Sequence, residues 1–212
     1  MSQRRAGHAN RCTNCRINNY FCVCSELSTF QIETNVSLIV HVSELKLTSN
    51  TAQFVEKNLP DRAEIFIRGR MNDTFDADPI LARVGRALFL FPDENSVELN
   101  ADFVIQNPGP YHLIVPDGSW TQAKRVKKRE EKFDSIPTVK LPAGMVGEYK
   151  LRKAPQPEWV STYEAVAYAL GILESKACEE HMMKFFRKWV QATLNSRTGN
   201  FSLSELMPTK SR

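Results

Sequence analysis

No apolar run in this 212-residue chain approaches the roughly 20 residues needed to cross a bilayer. A membrane-spanning helix is therefore excluded. The N-terminus opens Met1-Ser-Gln-Arg-Arg5 and stays polar, so the apolar stretch of a secretory signal is missing and a cytoplasmic location is expected. No internal repeat or low-complexity tract is visible. After residue 24 only one more cysteine follows, Cys178, in a helix-like stretch that suits a buried small hydrophobe. Acid is absent from residues 1–16, which carry four arginines.

What is present is a soluble composition, 42% hydrophobic and 25% charged. The length holds one α/β domain plus a small appendage, with a core that forms without disulfides. The net charge of +4 hides an uneven distribution. Residues 120–153 carry ten Lys/Arg against four Asp/Glu, and the chain outside this segment and residues 1–16 has a net −6. Concentrated positive charge attracts phosphate backbones, although a solvated basic helix face reads the same way.

Cys12, Cys15, Cys22 and Cys24 form a C-x2-C-x6-C-x-C cluster. Two close thiolate pairs complete a tetrahedral site, and Zn²⁺ with four sulfur ligands has no open position, so a structural ion is expected. Its binding, of order 10 kcal/mol, would supply folding energy that so short a segment lacks. Two disulfides or free thiols are the alternatives; a reducing cytoplasm disfavours the first.

Strand-like runs cover Val36–His41, Glu64–Arg68, Ala87–Phe91 and Tyr111–Val115, with Thr138–Leu141 as a fifth. Residues 25–34 read as a linker. Helix-like segments cover Asn50–Asn58, Pro79–Val84, Trp120–Lys132, Thr162–Ser175 and Cys178–Asn195, and the tail after Phe201 reads as loose. The alternation predicts an α/β fold with a mostly parallel sheet and flanking helices.

Three segments carry candidate chemistry. The apolar run ending at Pro116 gives way to Asp117-Gly118-Ser119-Trp120 and then to a helix bearing Lys124, Arg125, Lys127, Lys128 and Arg129. A carboxylate at a strand's carboxyl end can accept a proton from a ligand, and Trp120 offers a stacking face; equally, Asp117 or Ser119 simply caps the helix. The basic helix suits a substrate whose reactive base is flanked by phosphates. Next, Tyr149 and Arg152 precede Ser161-Thr162-Tyr-Glu164, whose Ser and Glu form a capping box and whose helix N-terminus can bind a carboxylate. Last, His41 and Glu44 lie at the end of the first strand, with Asn50-Thr51 opening the following helix; packing is the competing role for His41.

In this order the motifs resemble the DTW-domain family, the tRNA-uridine aminocarboxypropyltransferases. The likeness runs through the four cysteines, His41-x-x-Glu44, Asn50-Thr51, Leu90-Phe91-Pro92, Asp117-x-Ser119-Trp120, Tyr149-x-Leu151-Arg152 and Ser161-Thr162-x-Glu164-Ala165. The family signature has Thr before the Trp; Ser119 keeps the hydroxyl and loses a methyl. The resemblance implies a SPOUT-like, trefoil-knotted domain over 34–212, preceded by a four-cysteine zinc-binding segment over 1–33. It implies transfer of the 3-amino-3-carboxypropyl group of S-adenosylmethionine to N3 of a tRNA uridine, releasing methylthioadenosine.

On that reading Asp117 is the base, with Ser119, Trp120, His41 and Glu44 in the catalytic group. Phe91, Pro92, Leu141 and Pro142 would contact adenosine, Arg152, Ser161 and Thr162 would anchor the amino-carboxylate, and Val115, Pro116, Gly118 and Glu164 would also bind the cofactor. Lys124, Arg125, Lys127, Lys128, Arg129 and Tyr149 would meet tRNA. A monomer is expected over a homodimer, with no membrane partner. An RNA methyltransferase using the same cofactor, and a non-catalytic zinc RNA-binding module, are the rival readings.

Overall fold

The computed structural model describes residues 10–71, 74–152 and 159–198. The expectation of a loose tail after Phe201, Arg4 and Arg5 of the N-terminal basic patch, and most of the loop after Arg152 lie outside the described residues.

Six strands form one sheet: β1 (Asn35–His41), β2 (Ala63–Arg68), β3 (Arg86–Leu90), β4 (Val97–Glu98), β5 (Tyr111–Asp117) and β6 (Thr138–Lys140). Their order is β2-β1-β5-β3-β6-β4, and every pairing is parallel. The helices are α1 (Ala52–Asn58), α2 (Asp78–Leu81), α3 (Ala101–Gln106), α4 (Trp120–Arg129), α5 (Thr162–Leu173) and α6 (Lys176–Thr198). No helix among the described residues is long and apolar enough to cross a membrane.

Helices cover both faces of the sheet, which is why β1 and β5 are buried along nearly their whole length. Side chains alternate between two cores. Val36, Leu38, Val40, Leu113 and Val115 point toward α1, α5 and α6. Ile39, Phe89 and Ile114 point the other way, toward Ile80 of α2, Ala123 and Val126 of α4, and Phe133. Residues 25–34 are more than a linker: Ile32 and Thr34 are buried, and the Glu174 carboxylate accepts the Glu33 and Thr34 N–H groups.

The strand ends explain the site. β3 pairs with β5 only as far as Phe89–Ile114, whereas β1 follows β5 to Asp117. The strand therefore continues past Pro116, two residues beyond the expected Val115. A proline without an N–H is accommodated there because one neighbour has already departed. The same divergence opens a crevice between β3 and β5 at their carboxyl ends, where ligands of open parallel sheets bind.

Candidate functional site

Two adjoining chambers occupy this layer. The larger, about 580 Å³, has walls from the ends of β3 (Leu90, Phe91, Pro92), β5 (Val115, Pro116) and β6 (Leu141, Pro142). The smaller, about 190 Å³, is polar and holds Glu44, Ser49, Asn50, Asp117, Arg152 and Ser161. Gly118, Trp120, Trp159, Val160 and Thr162 border both. The larger volume lies within the roughly 300–1,000 Å³ typical of small-molecule sites.

Asp117 lines the smaller chamber next to Gly118, which borders both, and is 8% exposed. Its Oδ2 accepts from Asn50 Nδ2 at 2.8 Å, and its Oδ1 from the Thr162 hydroxyl. Burial pushes its carboxyl above the usual aspartate range, and the charge of Glu44 adds to this; the Thr162 and Asn50 hydrogen bonds and the Arg152 charge pull it partly back. The result is a carboxylate oriented from two sides with raised proton affinity. Arg152 is held too, donating from Nη2 to Glu44 Oε2 at 2.8 Å and from Nε to Ser49 Oγ at 3.0 Å. Loop 44–51 thus faces the carboxylate that ends β5 and the helix N-terminus that begins α5.

The structure brings most of the expected residues together, with four exceptions. His41 ends β1 but lines neither chamber. Its Nδ1 accepts the Ser43 N–H at 3.2 Å, and its ring fills the space above Gly69, where a Cβ would lie 2.6 Å from Nε2. Gly69 adopts φ +82°, a conformation glycine takes without penalty. A Cβ at Gly118 would lie 3.5 Å from that of His41, so His41 packs beside the site instead of lining it. Glu164 is fully buried and, rather than facing a cofactor, accepts the N–H groups of Ser161 and Glu148. Tyr149 turns inward, donating to the Ser49 carbonyl and stacking against Phe186 and Trp189, so its ring supports the chamber instead of meeting RNA. Lys127 binds the Ile136 carbonyl at 2.6 Å and Thr138 Oγ1 at 2.7 Å, which removes it from the cationic face of α4. Lys124, Arg125, Lys128 and Arg129 remain exposed.

Ser119 combines both readings given to it. It caps α4 through a reciprocal box with Gln122, and it also lines the polar chamber. Several site residues carried no sequence signal. Trp159 packs against Trp120 at a tilt of 36° with ring centroids 4.0 Å apart, and Trp120 in turn meets Phe91 at 5.5 Å, giving an aromatic wall. Ser49 joins the polar chamber, while Glu98 and Lys140 add charge to the larger one. Leu90, Asn50, Thr51 and Ala165, quoted in the motif series without a role, also line the chambers and could have been assigned one in advance.

The four early cysteines converge as the spacing requires. Their Sγ atoms lie within 4.8 Å of one another, with Cys12–Cys24 at 3.6 Å and Cys15–Cys22 at 3.7 Å. A tetrahedron of sulfurs at Zn–S distances of about 2.3 Å has edges of about 3.8 Å, so the donor set fits zinc. Burial pushes the Cys15 and Cys24 thiols up, whereas a backbone hydrogen bond from Cys15 helps bring Cys12 down to about 6. Four thiolates this close need a cation to coexist. All four cysteines are free of disulfides.

A parallel α/β sheet with a split crevice at its strand ends, a buried carboxylate in the polar chamber beside that crevice and a four-thiol knuckle defines a class: α/β proteins with a four-cysteine knuckle, built around a small-molecule site. Within that class, the chain belongs to the DTW domain family, whose profile matches residues 9–194. It is 30% identical over 179 residues to mouse tRNA-uridine aminocarboxypropyltransferase 2, covering 81% of this chain and 60% of the mouse protein. The Drosophila melanogaster protein of the same name is 27% identical, with 79% and 68% covered. Arabidopsis thaliana tRNA-uridine aminocarboxypropyltransferase A is 28% identical over 203 residues, with 82% and 77% covered. The chain thus spans about 60% of the length of the mouse relative. No solved structure matches it.

Proposed function

We propose that this protein transfers the 3-amino-3-carboxypropyl group of S-adenosylmethionine to N3 of a uridine in tRNA. The names of its relatives support the reaction class. The observation that carries the reading is the place of Asp117, in a polar chamber with Glu44 and Arg152 that shares Gly118 and Thr162 with an apolar cleft of cofactor size.

Adenosine fits the larger chamber, against Phe91, Pro92, Val115, Pro116, Leu141 and Pro142. The zwitterionic end fits the smaller, where Arg152 offers a cation and Glu44 an anion. Uridine N3 is weakly acidic, so its proton passes to the Asp117 carboxylate as the nitrogen attacks the cofactor's Cγ. The N3–Cγ bond forms, the S–Cγ bond breaks, and its electron pair neutralises the sulfonium, releasing methylthioadenosine. The leaving group is already good, so the chain's tasks are positioning and deprotonation. Trp120 and Trp159 offer flat faces beside both chambers, and Lys124, Arg125, Lys128 and Arg129 suit the phosphates flanking the target base. Cys12, Cys15, Cys22 and Cys24 would hold a structural zinc, which contributes folding energy rather than chemistry.

Asp117→Asn tests the assignment. Transfer should fall by about 10²–10⁴-fold, while calorimetry finds adenosylmethionine affinity nearly unchanged. Retained turnover would refute Asp117 as the base. A wild-type chain that binds tRNA but shows no adenosylmethionine affinity would instead be an RNA-binding module.

A further inference from the structure

One wall of the polar chamber comes from a single loop, residues 44–51, which supplies Glu44, Ser49, Asn50 and Thr51. On its inner side the loop is tied to the site through Glu44–Arg152, Ser49–Arg152 and Asn50–Asp117. Its outer side is gripped by the cysteine knuckle. Arg16, between Cys15 and Ile17, donates from Nη1 to the Leu45 carbonyl at 2.6 Å and to the Leu47 carbonyl at a longer 3.4 Å. Those carbonyls belong to the hydrogen-bonded run that carries the site residues: the Leu47 N–H bonds to Glu44 O, and the Asn50 N–H to Leu47 O.

Arg16 is also fixed at its own end. Its backbone adopts φ +63°, and its N–H donates to the Cys12 carbonyl at 2.9 Å, inside the turn that presents Cys12 and Cys15. Lys57 of α1 binds the Asn14 carbonyl at 2.8 Å, anchoring the same turn to the helix that follows the loop. A guanidinium is a rigid donor fork, so its position follows the knuckle backbone closely. A positive φ is uncommon for a residue with a Cβ, and the side chain it carries makes the only clamp from the knuckle turn to this loop that the hydrogen bonds of the described residues include.

We infer that Arg16 is a positioning residue through which the four-thiol knuckle holds the 44–51 wall of the polar chamber in register with Asp117. The knuckle is then part of the site's alignment as well as its folding. The kinetic part of the inference rests on the transfer reaction proposed above; the mechanical part does not.

Arg16→Gly is the informative variant, because glycine accepts the positive φ and the knuckle backbone is left intact. Zinc content per chain should match wild type, while amides of residues 44–50 exchange faster with solvent. Misplacing a positioning group costs about ten- to a hundredfold, so kcat should fall within that range. The acid limb of the kcat/KM profile should move to higher pH, since the Asn50 hydrogen bond that holds the Asp117 carboxyl down is loosened. Arg16→Lys, able to reach one carbonyl, should recover part of the loss. Unchanged exchange over 44–50 overturns the inference, and so does slowed turnover accompanied by loss of zinc. Exchange needs no substrate, so a wild-type chain without transferase activity would defeat the proposed reaction and leave the clamp still measurable.

Discussion

At Asp117 two effects oppose each other. Burial raises the proton affinity of the carboxyl, and the Thr162 and Asn50 donors lower it. Burial prevails, so the base form is lost on acidification at a pH above the ordinary aspartate range. Thr162→Val deletes one of the donors that lower the pKa, so the acid limb of the pH–rate profile should move further upward; an unmoved limb would contradict the network. The raised pKa also bears on stability. A carboxyl whose folded pKa lies above its unfolded value gives stability that is full below the unfolded pKa and lost as pH rises through the folded one. Asp117→Asn should therefore melt no lower than wild type at neutral pH, an advantage that fades near pH 4, as measured by thermal scans. Residue type and strand-end position singled out Asp117, Trp120 and Arg152, although a helix cap read equally well for Asp117 until the structure gave that role to Ser119. Side-chain direction was not legible. Tyr149 and Lys127 turn inward because Ser49 O, 100 residues from Tyr149, and Ile136 O, across the turn after α4, lie within reach.

At the scale of elements, the long apolar runs and both long C-terminal helices follow their sequence patterns. β4 and α3 do not, because two residues have no period and six give weak propensity. The capping box of α5 was readable as Ser161-x-x-Glu164, but its reach was not: Glu164 also binds the Glu148 N–H, tying the strand-end loop to the helix. Glu164→Ala leaves two part-buried N–H groups unpaired and should cost roughly 1–3 kcal/mol, visible as a lowered melting temperature; unchanged melting would exclude this role. The exposed face of α4 is tested separately. Neutralising Lys124, Arg125, Lys128 and Arg129 together should weaken tRNA binding and flatten its salt slope by up to about 3–4. Adenosylmethionine affinity should not change.

Across the whole molecule, the knuckle is not a detached appendage. Cys15 and Ile17 are buried in the same core as Trp189, Phe186 and the inner face of β1. The four-cysteine spacing pointed to a set of metal ligands but to nothing of this packing, since spacing reports on ligands and not on what lies behind them. Stripping the ion with a chelator should therefore lower the melting temperature of the entire domain, and a melting curve indifferent to metal would contradict that coupling. Transfer of the aminocarboxypropyl group leaves its mark on the nucleoside itself. Purified protein, unmodified tRNA and adenosylmethionine are incubated together, and the digested nucleosides are weighed by mass spectrometry. The account predicts a uridine heavier by one aminocarboxypropyl group, with methylthioadenosine as co-product; a uridine gaining only a methyl group, or no modified uridine at all, would contradict it.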